Sequence, residues 1–178
     1  MKKYTDYIIE QMKQLLAIDS PTGFTAKVAE YLLKEYTRLG YQPWQTKKGG
    51  VAVCLGGEGE PVSLMAHTDT LGAMVAEVKA NGRLRLTPLG GLNANNTETE
   101  NCRVYSFDGS VYEGPIQLED ASIHVNGEFS NTKRSFDTVE VVLDEDVHTK
   151  EDVHKLGIEN GCMVCVEPRT RVTASGYI

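Results

Sequence analysis

Apolar side chains recur at helical spacing near the start of the chain. Tyr4, Ile8, Met12, Leu15 and Leu16 fall on one face if residues 4–16 wind as an α-helix. "DSPTG" ends that pattern, because Pro21 restricts the backbone of Ser20 and Gly23 frees it. A second stripe, Val28, Tyr31, Leu32, Tyr36 and Leu39, predicts a helix over about residues 25–39, with Gly40 closing its C-terminus. The period then shortens. "YQPW", "GVAVCL" and "PVSLMA" read as strands, the last apolar enough to lie inside a sheet, and the glycine-rich "GGEGEP" reads as a hairpin turn. Two helices followed by strands with covered faces predict the first part of a layered α/β domain.

The texture changes after Gly72. Asn81-Gly82 sits between two alternating runs, and Asp108-Gly109 repeats the device within "CRVYSFDGSVYEGPI"; both are hairpin signals. "DTVEVVLDED" and "CMVCVEP" are further strands, and Thr149 is placed to cap a short helix in "TKEDVHKLGI". Residues 73–168 therefore read as an antiparallel, barrel-like β unit. Its polar segments "GLNANNTETEN" and "NGEFSNTKRSFD" are expected to be loops, either mobile or facing another subunit. The organisation expected is an α/β portion over residues 1–72, the inserted β unit over 73–168, and a return segment over 169–178. Three strands and two helices are thin for an α/β core. Either another chain tops up the domain or the sequence is the front part of a longer protein, and the second is expected.

Charge narrows the partners. The 178 residues carry 18 basic and 25 acidic side chains, a net −7, with no dense Lys/Arg block, which argues against nucleic acid. "MKKYTDYIIEQMKQ" has no apolar signal core and nowhere are there 18 consecutive apolar residues, so no membrane partner and a cytoplasmic location are expected. Cys162 and Cys165 form a CxxC, but within an alternating run and without a second Cys or His pair, so a structural role is expected over a metal or redox one.

Candidate chemistry concentrates in "VSLMAHTDTLG". His67 directly follows the run expected to be a sheet strand, and ligands in open α/β sheets gather beyond the carboxyl ends of strands. Asp69 is placed to accept the second N–H of that imidazole, fixing its tautomer. The plainer reading is a strand-end histidine bonded to a backbone carbonyl, and H-x-D alone does not decide between them. His124 could face a cleft from the β unit but reads more simply as an ordinary strand or loop residue. His148 and His154, six apart, do not form an i,i+4 metal pair and are expected at the surface. "GGEGE" is acidic and unsuited to phosphate, and no H-E-x-x-H, G-x-S-x-G or P-loop pattern is present.

Taken in order, "DSPTGFTAKVAEYL", "VSLMAHTDTLGAMVAEVKANGRLRLTPLGG" and "EDVHKLGIENGCMVCVEP" closely resemble the M42 family of metallo-aminopeptidases, also known as glutamyl aminopeptidases and endoglucanases. The resemblance runs over essentially the whole chain. It implies a zinc-exopeptidase-type (phosphorylase/hydrolase-like) α/β/α domain, incomplete here, interrupted after its first metal histidine by a small β-barrel. It implies His67 as a metal ligand, Asp69 as the group that orients it, and two divalent ions per subunit, zinc or cobalt or manganese. It also implies peptides with a free N-terminus as substrates and self-association, in the well-known cases as tetrahedral dodecamers.

Two local departures are Thr70, where the family usually has glutamate, and "PTG", where many members have P-S-G. The larger one is that the family's other ligands and its glutamate base would follow the segment matching "VTASGYI". The 178 residues alone are therefore expected to be inactive. The competing readings are another metallohydrolase, such as a deacylase, and a non-catalytic barrel module carrying a peptidase remnant.

Overall fold

A computed structural model describes residues 2–178, and the chain divides into two compact units. One comprises the chain up to Thr70 together with Pro168–Ile178, the other Leu71–Glu167.

The first unit opens with α1 (Lys2–Leu16) and α2 (Ala26–Arg38). Tyr7 donates its hydroxyl to Glu35 at 2.7 Å and Tyr31 to Gln11 at 2.9 Å, tying the helices together. The end of α2 is set by paired backbone bonds from Gly40 N–H to Thr37 O and from Tyr41 N–H to Tyr36 O, a Schellman closure. The helices match the apolar periodicity, but its implied burial does not follow for α1, whose Tyr4, Ile8, Met12 and Leu16 remain exposed. Val28 and Ala29 are the buried side chains of α2.

The strands expected in this unit shrink to a two-stranded ladder of β1 (Trp44–Gln45) and β2 (Val51–Ala52). The third expected strand does not form. "PVSLMA" joins no ladder, and Val62, Leu64 and Met65 are 86%, 87% and 92% exposed. An apolar strand needs a paired neighbour and covered faces, and β1 and β2 offer neither to it. With no strand on its far side, "GGEGEP" is an open loop instead of a hairpin turn.

The second unit is a closed six-stranded barrel in the order β3-β4-β7-β6-β5-β8. It is built from β3 (Gly72–Val78), β4 (Leu84–Leu89), β5 (Asn101–Tyr105), β6 (Val111–Leu118), β7 (Val139–Val141) and β8 (Met163–Val166). Both Asx-Gly pairs sit in tight turns, with Gly82 at φ 80 and Gly109 at φ 92, values that favour glycine. Alternate side chains enter one core, including Val75, Leu84, Leu86, Val104, Ile116, Leu118, Val141 and Val164. A short helix, α3 (Lys150–Lys155), packs Val153 into it, Ile158 follows from the segment after the helix, and Thr149 Oγ1 accepts from Asp152 N–H at 3.2 Å as the cap. Cys162 and Cys165 are buried on and beside β8 with no disulfide, consistent with a packing role.

Neither polar segment is loose. Arg134 donates to Glu98 at 2.7 Å, caps the carbonyls of Phe129 and Thr132, and stacks 4.8 Å from the Phe129 ring centroid. Ala94 and Thr97, in the same segment as Glu98, are buried. Opposite charges on separate loops supply an anchor that composition alone does not reveal. Beside them, exposed Thr99 adopts φ 71 while its N–H donates to Ile116 O at 2.8 Å. A β-branched residue is strained there. Thr99→Asn should stabilise the barrel by about 0.5–1 kcal/mol in urea unfolding; a loss of stability would contradict the strain.

Glu140, on β7, is 2% exposed and accepts from Arg83 Nη1 at 2.5 Å and Lys79 Nζ at 2.9 Å. Lys79 also reaches Glu119 at 2.6 Å. Burial opposes the charge of Lys79, but the two carboxylates outweigh it and hold its pKa above the ordinary value. Removing Glu140 takes the carboxylate from Arg83 and leaves Lys79 with Glu119 alone, and both cations can partly rehydrate. Glu140→Ala should cost roughly 2 kcal/mol by urea unfolding. A change below about 0.5 kcal/mol would show that the cluster is energetically idle.

Candidate functional site

The sequence-expected pair lies at the end of the first unit's 61–70 segment. His67 Nδ1 sits 3.1 Å from the backbone carbonyl of Asp69 and 3.2 Å from its Oδ1. A backbone carbonyl and a carboxylate thus share the Nδ1–H, although no strand precedes the histidine. Nε2 then carries the lone pair. It has no hydrogen-bond partner among the described residues, and the imidazole is 86% exposed.

Asp69 is held from its other side. Thr22 Oγ1 donates to Oδ2 at 2.6 Å. This bond is the largest influence on the carboxyl and, with the smaller help of His67, keeps its pKa below the usual carboxylate range against the cost of desolvation. The carboxylate accepts from both neighbours only when ionised. The arrangement is therefore in force above the ordinary carboxylate pKa and is lost as pH falls through the lowered value.

Backbone contacts fix the two segments to each other. Ser20, fully buried, donates Oγ to Thr68 O at 3.1 Å and accepts Thr70 N–H at 2.8 Å, and Pro21 forms a parallel bridge with Thr70. Around them lies an open cavity of about 700 Å³, lined by Thr22, Tyr36, Lys48, Met65, His67 and Asp69 among others. Thr22 was not singled out from the sequence, since 47 residues separate it from Asp69. The available signal was the hydroxyl residue shared by "PTG" and P-S-G.

The other histidines do not join this site. His124 occupies an exposed turn of the second unit, not a strand. His148 pairs with Asp146 at 3.1 Å, and His154 Nδ1 contacts Ile158 O at 3.1 Å. Among the described residues no group of three or more His, Cys, Asp or Glu side chains could hold a metal ion. The donor set fits one ligand, His67 Nε2, with Asp69 occupied on both oxygens as its support.

Comparison with known proteins identifies the setting of this pair. The sequence profile described as M42 glutamyl aminopeptidase matches residues 49–178. The chain is 39% identical over 175 residues to protein YhfE of Bacillus subtilis (strain 168), covering 96% of this chain and 50% of that protein. The chain belongs to the M42 family. Its fold is shared with solved TET peptidase structures. A TET aminopeptidase from the marine sediment archaeon Thaumarchaeota archaeon SCGC AB-539-E09 superposes with a TM-score of 0.82 at 21% identity, over 96% of this chain and 47% of the other. The Pyrococcus horikoshii TET1 peptidase, described as able to assemble into a tetrahedron or a large octahedral shell, gives 0.73 at 21% identity, over 89% and 46%. This M42 chain spans about half the length of the relatives it matches. Among its described residues no helix is long and apolar enough to cross a membrane.

Proposed function

We propose that this chain contributes the first metal ligand and its orienting carboxylate to a metal-dependent aminopeptidase that removes N-terminal residues from peptides. The observation that carries the reading is the open Nε2 of His67, with Nδ1 held by Asp69, in a chain of the M42 family. Two divalent ions, when bound, would supply a water acidified toward neutral pH and a polarised scissile carbonyl. His67 would hold one ion through Nε2. Asp69 would keep the proton on Nδ1 and the ring in a fixed plane, so that the lone pair is presented without a tautomer change. Zinc, cobalt and manganese all suit a histidine and carboxylate environment. Self-association into a closed assembly, a tetrahedral dodecamer in the simplest case, is part of the same proposal, supported by the assembly described for the Pyrococcus horikoshii peptidase.

The test uses the full-length protein and the 178-residue chain side by side. Dialysis against a chelator should abolish hydrolysis of an aminoacyl anilide by the full-length protein, and added Zn²⁺, Co²⁺ or Mn²⁺ should restore it. In calorimetry the shorter chain should bind Zn²⁺ no tighter than roughly 10 μM, because one imidazole does not make a three-ligand site. Hydrolysis that survives complete metal removal would overturn the proposal in favour of a metal-independent or non-catalytic role.

A further inference from the structure

An imidazole this exposed is not oriented by packing. Its ring plane depends on the two Nδ1 contacts to Asp69, and one of them is to a side chain that can itself rotate. What holds Asp69 is therefore what holds the Nε2 lone pair. Besides His67 itself, one side chain among the described residues is in place to do so: Thr22, at 2.6 Å from Oδ2.

Thr22 is set by its surroundings and not merely nearby. Residues 21–24 form a β-turn closed by Phe24 N–H to Pro21 O at 2.7 Å, with Gly23 at φ 90, the position where such a turn needs a residue tolerant of positive φ. Immediately before it, buried Ser20 is stitched to Thr68 and Thr70 from side chain and backbone alike. The carrier of the hydroxyl and the carrier of the carboxylate are thus locked together before Thr22 and Asp69 meet. Their hydrogen bond consequently costs little additional ordering, even at the surface. It also divides the labour of the carboxylate, with Oδ2 taken by the hydroxyl and Oδ1 left for Nδ1.

We infer that Thr22 is a positioning residue for the proposed metal centre, acting through Asp69 to hold the plane and tautomer of His67. The inference rests on the reading of His67 as a ligand. It also accounts for each residue of the "PTG" turn, since Pro21 bridges to Thr70, Gly23 turns the chain, and Thr22 supplies the donor.

Two variants of the full-length protein separate the hydroxyl from its shape. Thr22→Val keeps the volume and loses the donor, and Thr22→Ser keeps the donor. Competition with a chromophoric chelator should show about a 10-fold loss of affinity at one of the two metal positions in Thr22→Val, the lower end for outer partners of a ligand. The visible spectrum of the Co²⁺-loaded protein should change with it. On an aminoacyl anilide, kcat should fall while KM stays nearly constant. Thr22→Ser should restore all three readouts. Wild-type affinity and Co²⁺ spectrum in Thr22→Val, or failure of Thr22→Ser to restore them, would overturn the inference while leaving the ligand reading intact, provided His67→Ala still empties one metal position. If His67→Ala keeps both metals, the ligand reading itself fails and the role of Thr22 fails with it.

Discussion

His67→Ala in the full-length protein should remove one metal ion per subunit and nearly all hydrolysis of an aminoacyl anilide, whereas Asp69→Asn should keep more metal and lose activity only in part. The difference follows from where each side chain acts. Deleting the imidazole deletes the Nε2 donor itself, and among the described residues no group of three or more His, Cys, Asp or Glu side chains is there to hold the ion without it. Replacing Asp69 by asparagine keeps an acceptor oxygen near Nδ1 but weakens it, and the Asp69 backbone carbonyl at 3.1 Å still supports the ring. A cost of roughly 10–100-fold in affinity or rate is expected for that second change. Elemental analysis of the purified variants, read beside kcat and KM, checks both. Retention of two metals and normal turnover by His67→Ala would falsify the assignment.

Gly114→Ala should lower the melting temperature of the barrel by more than about 12 °C, equivalent to roughly 3 kcal/mol or more for a unit of this size. A Cβ built on Gly114 would lie 2.1 Å from Val142 O and 2.9 Å from Val142 C, with Leu143 Cα at 3.0 Å. These are backbone atoms, so no side-chain rotation relieves the clash. Separation of the segments would break the bonds from Val142 N–H to Pro115 O and from Asp144 N–H to Glu113 O, and would lift buried Leu143 from the core. Gly91→Ala is the control: its Cβ would meet nothing within 4 Å. Calorimetric melting of both variants decides the matter. Equal melting temperatures for Gly114→Ala and wild type would mean that the two segments can part at little cost.

The parts of this architecture legible in the sequence are those specified within a few residues. Asn81-Gly82 and Asp108-Gly109 predict hairpins because the turn chemistry is local, and Thr149 predicts its helix start because a cap reaches only three residues. "PVSLMA" misleads for the converse reason. Apolar character reports what a segment could bury, and a strand also requires a neighbour that β1 and β2 do not provide. The same holds for the face of α1, whose spacing is helical but whose Tyr4 and Ile8 stay exposed. Arg134 and Glu98 lie 36 residues apart, so the loops they anchor look unstructured when read singly. At the candidate site, two nearby positions disclose His67 and Asp69, while Thr22 becomes visible only when the chain returns beside them.

The barrel's first and last strands are hydrogen-bonded neighbours, with Ala73 opposite Val164. This has a consequence for the order in which the chain folds. The first unit is discontinuous in sequence, interrupted by residues 71–167. Were the insert still a random coil, joining the unit's two pieces would close a loop of roughly 100 residues; once β3 and β8 have paired, the effective span is only a few residues. With closure entropy growing as the logarithm of loop length, that shortening is worth about 2–3 kcal/mol. Prior folding of the barrel therefore makes the later closure entropically inexpensive, and a slip in the β3–β8 register would delay the first unit without touching a residue in it.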